Sequence, residues 1–394
     1  MDVLISGAGV AGPCLAWWLA EAGHRPTVVE VAPRPREGGY VLDFWGRGYD
    51  LAERMGLLPR LREVGYQVQN VVMVDSAGRR RAGFGVDVFL RITNGRFVSL
   101  PRSELAKALT EAAAERAEFR FGDSVQTIRP VGDGVEVAFE QAPPQRFDLV
   151  VGADGIHSRV RDLVWGPEDA YERYLGYRFA AFTLPDYAPR DPDAYLLYNE
   201  PGIQVGRFAL RDGSTLVLLI WSEERPGPLP ASENDGKEDL RRRFDGCGWE
   251  VARMLSALDT THDLYIDQVS QIRLPQWSRG RVALVGDAAA APSFLAGQGS
   301  ALAMIAAYVL AGELRGADRP EAALAAYERR LRPFITGKQD AATRFTSTFV
   351  PGSRFAIAVR NVVTRFMGVP WVADRAVGRD IRDMIDLPDY FTAG

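Results

Sequence analysis

Apolar positions at the start of the chain fall into three blocks. Val3-Leu4-Ile5 is a short, wholly apolar run, Ala11 to Ala22 reads as a helix, and Thr27 to Val29 is strand-like again and ends on Glu30. Strand, helix and strand in so short a span predict a parallel βαβ unit. Between the first two blocks stand Gly7, Gly9 and Gly12, spaced G-x-G-x-x-G. Glycines so placed allow a tight turn, close approach of a pyrophosphate and close packing of helix on sheet. The helix N-terminus offers free N–H groups and partial positive charge to phosphates. Glu30 stands where a carboxylate accepts hydrogen bonds from an adenosine ribose. An adenine dinucleotide is the predicted ligand.

The pattern then changes twice. A Gly-rich loop from Pro33 leads into a helix from Gly48 to Met55, and Gln67 to Ser76 reads as a strand before the solvated run Arg79-Arg80-Arg81. A helix follows from Ser103 to Glu115, with Ser103 placed to cap it after Pro101. Short strands are expected at Ser124–Ile128 and Val135–Phe139. Leu149-Val150-Val151 is a buried strand that runs out at Asp154-Gly155. From Gly176 on, Phe179–Leu184, Tyr195–Tyr198, Gln204–Leu210 and Thr215–Trp221 alternate with Gly, Pro, Asp and Asn turns, the signature of an antiparallel sheet. An acidic, Pro-rich linker leads to a helix over Leu240–Leu258, and Ile266–Ile272 is a returning strand. Arg281–Val285 is a further buried strand, followed by Gly286-Asp287 and a long apolar helix from Gly299. After Arg332, helical patches alternate with breakers.

Composition narrows the chemistry more than the fold. At 394 residues, two sizeable cores are expected. A net charge of -4 gives no reason to expect nucleic acid or an anionic membrane as partner. No apolar stretch is long enough to span a bilayer, and no cleavable leader precedes the first strand, so a cytoplasmic location is expected. Two cysteines and three histidines, with no metal-site spacing among His24, His157 and His262, leave little room for thiol or metal catalysis. No metal is expected, and no catalytic side chain is identified. A cofactor must carry the hard step.

Glu30, Asp154-Gly155 and Gly286-Asp287 each close a buried strand, and such strand ends converge on one crevice of a parallel sheet. With LPRSELAKAL, the D-G-x-x-S-x-V-R set of Asp154, Gly155, Ser158, Val160 and Arg161, and GDAAAAPSFLAGQG, the chain resembles the FAD-dependent aromatic hydroxylases of the p-hydroxybenzoate hydroxylase type. Within them it is most similar to bacterial relatives acting on polyketides and tetracyclines. The resemblance implies non-covalent FAD held by Gly7, Gly9, Gly12, Glu30, Arg102, Asp154, Gly155 and Asp287. Backbone N–H groups of Ala296, Gly297, Gln298 and Gly299 would lie beside the flavin, where reduced flavin carries negative charge. Arg161 is the candidate for NAD(P)H. The implied fold is α/β: a Rossmann-like FAD-binding domain (1–70, 100–175 and 273–330), a substrate-binding domain with a mixed, mainly antiparallel sheet (71–99 and 176–272), and a C-terminal helical region (331–394).

The implied reaction uses NADPH or NADH as transient reductant and O2 as co-substrate, and passes oxygen from a flavin C4a-hydroperoxide to an aromatic or polyketide-like molecule. Phe44, Trp45, Phe179, Tyr198, Phe208, Trp221 and Phe294 are the candidate pocket walls for a small aromatic or multi-ring substrate, each with an alternative place in ordinary core. Two departures stand out. Ala290 occupies the place where many relatives have histidine, and Ser293 the place of a proline near the flavin. Asp154 and Asp287 retain an alternative as turn caps, and Arg102 and Arg161 as solvated helix arginines. A halogenase is disfavoured because Trp277 is followed by Ser-Arg-Gly instead of the W-x-W-x-I-P pattern. A flavin reductase without oxygen transfer and an inactive, ligand-sequestering flavoprotein stay open. Oligomeric state is not legible.

Overall fold

A computed structural model describes residues 1–35, 40–66, 68–373 and 385–391. Part of the Gly-rich loop (36–39), the start of the strand expected from Gln67 and parts of the tail lie outside the described residues. Among those described, the strands form four sheets. The first has six strands in the order Ser278–Arg279, Val282–Leu284, Leu149–Gly152, Asp2–Ser6, Arg25–Glu30 and Glu118–Phe121. All its pairings are parallel except the Ser278–Arg279 edge. Val3, Leu4, Ile5, Leu149, Val150 and Val151 are fully buried between covering helices, which is why these strands are apolar on both faces.

The second large sheet has seven strands: Tyr265–Ile272, Glu172–Leu184, Thr215–Ser222, Ile203–Ala209, Ala194–Glu200, Asn70–Val74 and Arg80–Gly85. Its pairings are antiparallel except Ala194–Glu200 with Asn70–Val74. One face packs Val205, Val217, Leu219 and Trp221 against Leu240, Phe244 and Met254. The other carries Phe179, Ala181, Leu218 and Ile220 toward Leu295 and Val350. A smaller antiparallel sheet joins Val125–Val131, Gly134–Phe139 and Gln145–Phe147, and Val41–Trp45 pairs with Phe97–Pro101. The fold is therefore α/β, with a Rossmann-like unit beside a mainly antiparallel sheet and C-terminal helices. Among the described residues no helix is long and apolar enough to cross a membrane.

Four local expectations are corrected. The helix over Leu240–Leu258 is two helices, Glu233–Arg243 and Val251–Ser256. They are broken at the turn around Trp249, whose φ is +59°. Ser103 does not cap its helix: Arg102 is already helical, with Pro101 extended before it and no side-chain cap. Proline suits this entrance because its missing N–H would have no intrahelical partner. The break near Arg332 is absent, since one 30-residue helix, Pro320–Phe349, runs through Pro333. That helix draws its stability from packed residues such as Leu324, Tyr327 and Leu331, and tertiary packing outweighs the local cost of one proline. Finally, Val41–Trp45 is a strand where the sequence reads as loop.

Candidate functional site

The glycine turn is shaped by contacts that leave no room for side chains. Gly7 has φ +107°, and a Cβ there would lie 2.6 Å from Ala153 O. At Gly12 a Cβ would overlap Gly7 O and sit 3.1 Å from Gly7 C. The turn is thus pressed between its own helix and the strand that carries Asp154. Helix Ala11–Glu21 starts without a side-chain cap, so its first N–H groups are free for an anion. Glu30 Oε2 accepts from Ala8 N at 2.7 Å and Oε1 from Ala32 N at 3.0 Å, which places the carboxylate beside the turn.

Arg102 opens its helix, and its backbone N donates to Tyr40 O at 3.1 Å. A Cβ on Gly9 would meet Arg102 Nη2 at 3.6 Å, and one on Gly299 would meet Asp287 Oδ1 at 3.7 Å. Burial raises the Asp287 carboxyl above its ordinary range, and the Arg102 charge opposes that shift. Arg102 and Asp287 therefore face one space without forming an ion pair among the described residues. Helix Gly299–Leu314 also begins without a side-chain cap. Ser293 ahead of it has φ +99°, a strained value for a residue with a Cβ. Its hydroxyl accepts from Leu295 N at 3.2 Å and so braces the loop.

A carboxylate, a guanidinium, two uncapped helix starts and glycines that bar side chains fit a long anionic dinucleotide. The residues that could hold FAD are Gly7, Gly9, Gly12, Glu30, Arg102, Asp287 and the backbone of Gln298 and Gly299. The N–H groups expected of Ala296 and Gly297 already donate to Ser293 O at 3.1 Å and Phe294 O at 3.2 Å.

Two of the expected contact residues are also tied into the scaffold. Asp154 accepts from Ser158 Oγ at 2.5 Å, Val160 N at 3.0 Å and Ser6 Oγ at 3.4 Å. It ties the first strand to the helix after Gly155, whose φ is +82°. Arg161 is 1% exposed. Its guanidinium donates to Ala288 O at 3.1 Å and Ile156 O at 2.5 Å, and pairs with Glu168. Arg161, expected as the NAD(P)H contact, uses both Nη atoms to clamp the 287–290 helix to the Asp154 segment, and its buried Nε has no hydrogen-bond partner among the described residues.

The aromatic candidates divide by strand alternation. Phe179 and Phe294 stack at 4.2 Å with rings 4° apart, and Tyr40 meets Phe294 edge-on at 4.9 Å. Phe208 shares their sheet face and packs on Tyr66 at 4.9 Å. Trp45 lies over Phe97 at 6.3 Å. Phe44 instead joins the first core, and Tyr198 and Trp221 pack under the helices on the far face of the large sheet. Those three are core residues, because neighbouring positions on a strand point to opposite sides.

Sequence reasoning missed Tyr40, Asp43 and Tyr265. Asp43 is accessible along its strand, yet burial raises its carboxyl above the usual range against a hydrogen bond from Ser99. That combination marks the wall of a deep cleft. Its signal was a lone acid within Val41-Leu42-Asp43-Phe44-Trp45. Tyr265 is 43% exposed and contacts Phe179 at 5.7 Å. Its hydroxyl donates to Asp267 Oδ2 at 2.5 Å, and His157 Nε2 meets the same oxygen at 3.2 Å. Hydrogen bonds to Asp267 and Glu168 push the His157 pKa up to about 10.

Comparison with known proteins decides the family. A family model described as FAD binding domain matches residues 1–342. A flavin-dependent monooxygenase from a prokaryote of unknown species is 32% identical, covering 98% of both chains. The chain belongs to the FAD-dependent monooxygenase family. An uncharacterized protein of Mycobacterium tuberculosis is 36% identical over 343 residues, 86% of this chain and 91% of its own. The crystal structure of tetracycline destructase Tet(55) superposes with a TM-score of 0.84 at 28% identity, covering 98% of each chain. The chain therefore shares this fold along nearly its whole length.

Proposed function

We propose that this monooxygenase consumes NADPH or NADH and hydroxylates a flat, multi-ring aromatic or polyketide-like molecule. The observation that carries the reading is the Phe179–Phe294 stack at 4.2 Å, edged by Tyr40 and Tyr265, beside the space faced by Arg102 and Asp287. Planar rings prefer offset-stacked or edge-on neighbours, so this wall suits a planar guest. Similarity to a tetracycline destructase supports a multi-ring substrate. Bound FAD, reduced by the nicotinamide, supplies activation of O2 and transfer of one oxygen atom.

The chain's own part is placement and shielding. Gln298 and Gly299 present backbone N–H groups at a helix start, where such groups stabilise negative charge without rearranging. Ala296 and Gly297 donate theirs to Ser293 O and Phe294 O. Phe179, Phe294 and Tyr40 hold the ring plane and keep water out. Asp43, hydrogen-bonded to Ser99, holds a proton more readily than an exposed carboxylate does. An oxygen-electrode assay of the FAD-loaded protein with multi-ring phenols tests the reading. Substrate-dependent oxygen uptake is expected in step with NAD(P)H oxidation. Substrate reduction with no oxygen uptake would make the protein a reductase instead.

A further inference from the structure

Helix Arg354–Arg365 exposes its apolar side. Phe355 is 78% exposed, and Val359, Val362, Val363 and Phe366 are also exposed, whereas Ile357, Arg360, Asn361 and Thr364 are sheltered. The helix packs on strands Arg80–Gly85 and Ala194–Glu200. Gly202 N to Pro351 O (3.0 Å) fixes the segment before it, and Arg365 Nε to Arg81 O (2.8 Å) fixes its end. Met367 beyond it joins Val88 and Phe84. Phe84 pairs across the sheet with Val71, and Val71 with Tyr195. Tyr195 in turn feels the charge of Asp43 in the cleft wall. The sheltered, polar side of the helix therefore covers the cleft face of the sheet.

Two sheltered donors, one on this helix and one on the sheet, lack acceptors. Among the described residues Arg360 has one hydrogen bond, Nη2 to the neutral Asn361 Oδ1 at 3.2 Å, and its buried Nε has none. Burial lowers the guanidinium to about 10, with no carboxylate to offset it. Gln204 is 1% exposed. Its Oε1 accepts from Asn199 Nδ2 at 3.1 Å, which leaves Nε2 unpartnered. Register places Asn199, Gln204, Ile220 and Phe179 in one row on the face that carries Phe294. A sheltered cation without a counter-charge is costly unless a ligand completes it.

We propose that Arg360, with Gln204 on the same sheet face, forms an anion-recognising wall of the substrate cleft that takes a carboxylate or enolate oxygen of the multi-ring substrate. The positive charge of the guanidinium suits such a group. The inference rests on the substrate reading above, but binding tests it without turnover.

The test is calorimetric titration of the FAD-loaded protein with anthraquinone-2-carboxylate and with its carboxamide. A charge-assisted bond is worth about 10- to 100-fold in affinity, so the carboxylate should bind tighter by roughly that factor. R360Q should erase the preference and R360K should restore it. Equal affinities in the wild type, failure of both probes to bind, or an undiminished preference in R360Q would overturn the proposal. Should R360Q fail to fold, loss of the preference in R360K supplies the contrary result and its retention the supporting one. Absence of oxygen uptake alongside an intact preference would count against the monooxygenase reading alone.

Discussion

Alanine at Gly12 and alanine at Gly9 separate two duties within one motif. A Cβ at Gly12 would overlap the carbonyl oxygen of Gly7, a backbone atom fixed by Gly7 N donating to Val29 O at 2.7 Å. The helix must retreat from the turn, and overpacking of this kind costs about 1–3 kcal/mol. At Gly9 a Cβ would meet only Arg102 Nη2, at 3.6 Å, an ordinary contact with the end of a flexible side chain. G9A should therefore leave the cofactor-free protein intact and obstruct only the approach of the pyrophosphate. Losing one charge-assisted N–H contact costs about 1.5–3 kcal/mol, at least about tenfold in FAD affinity. The assay is thermal melting of the FAD-stripped proteins, paired with FAD titration by flavin fluorescence. G12A should melt lower and bind FAD poorly, while G9A should melt like the wild type and bind FAD poorly. Wild-type FAD affinity in G9A would refute the placement of the dinucleotide on this turn.

Three further outcomes follow from the site. D287A removes the carboxylate that shares a space with Arg102; FAD affinity should fall by more than about tenfold, and unchanged affinity would place the cofactor elsewhere. F294A opens the stack on Phe179, so FAD and NAD(P)H oxidation should persist while hydrogen peroxide replaces product. A misplacement of about 1 Å can cost about 100-fold, and wild-type coupling in F294A would return the ring to simple loop packing. His157 has a folded pKa raised to about 10 by Asp267 and Glu168, against about 6.5 when free. Its contribution to stability is complete below about 6.5 and is lost as pH rises through the folded value. Wild-type melting temperature should fall between pH 7 and 10 more steeply than that of H157Q, and parallel curves would contradict the bridge.

The sequence disclosed what repeats locally and concealed what depends on pairing. Gly7, Gly12 and Glu30 carry backbone geometry and strand-end position in their spacing, so the nucleotide unit could be read directly. The large sheet was visible as alternating strands, but alternation alone does not say which face meets the cleft. Phe179 and Tyr198 look alike in sequence and lie on opposite sides. Arg161 belongs to a recognisable motif, yet its burial against Ala288 O joins segments 127 residues apart, and no local pattern reports that. Asp43 and Tyr265 were missed for the same reason: their meaning lies in what Ser99, Asp267 and His157 bring to them from elsewhere in the chain.

The most direct test of the account is mass spectrometry of products formed under labelled oxygen by the FAD-loaded protein with NADPH or NADH and a panel of multi-ring phenols. One atom from O2 should appear in the product, with consumption of the nicotinamide rising when substrate is added. Substrate-stimulated nicotinamide oxidation that forms product with no oxygen from O2 would contradict the central claim.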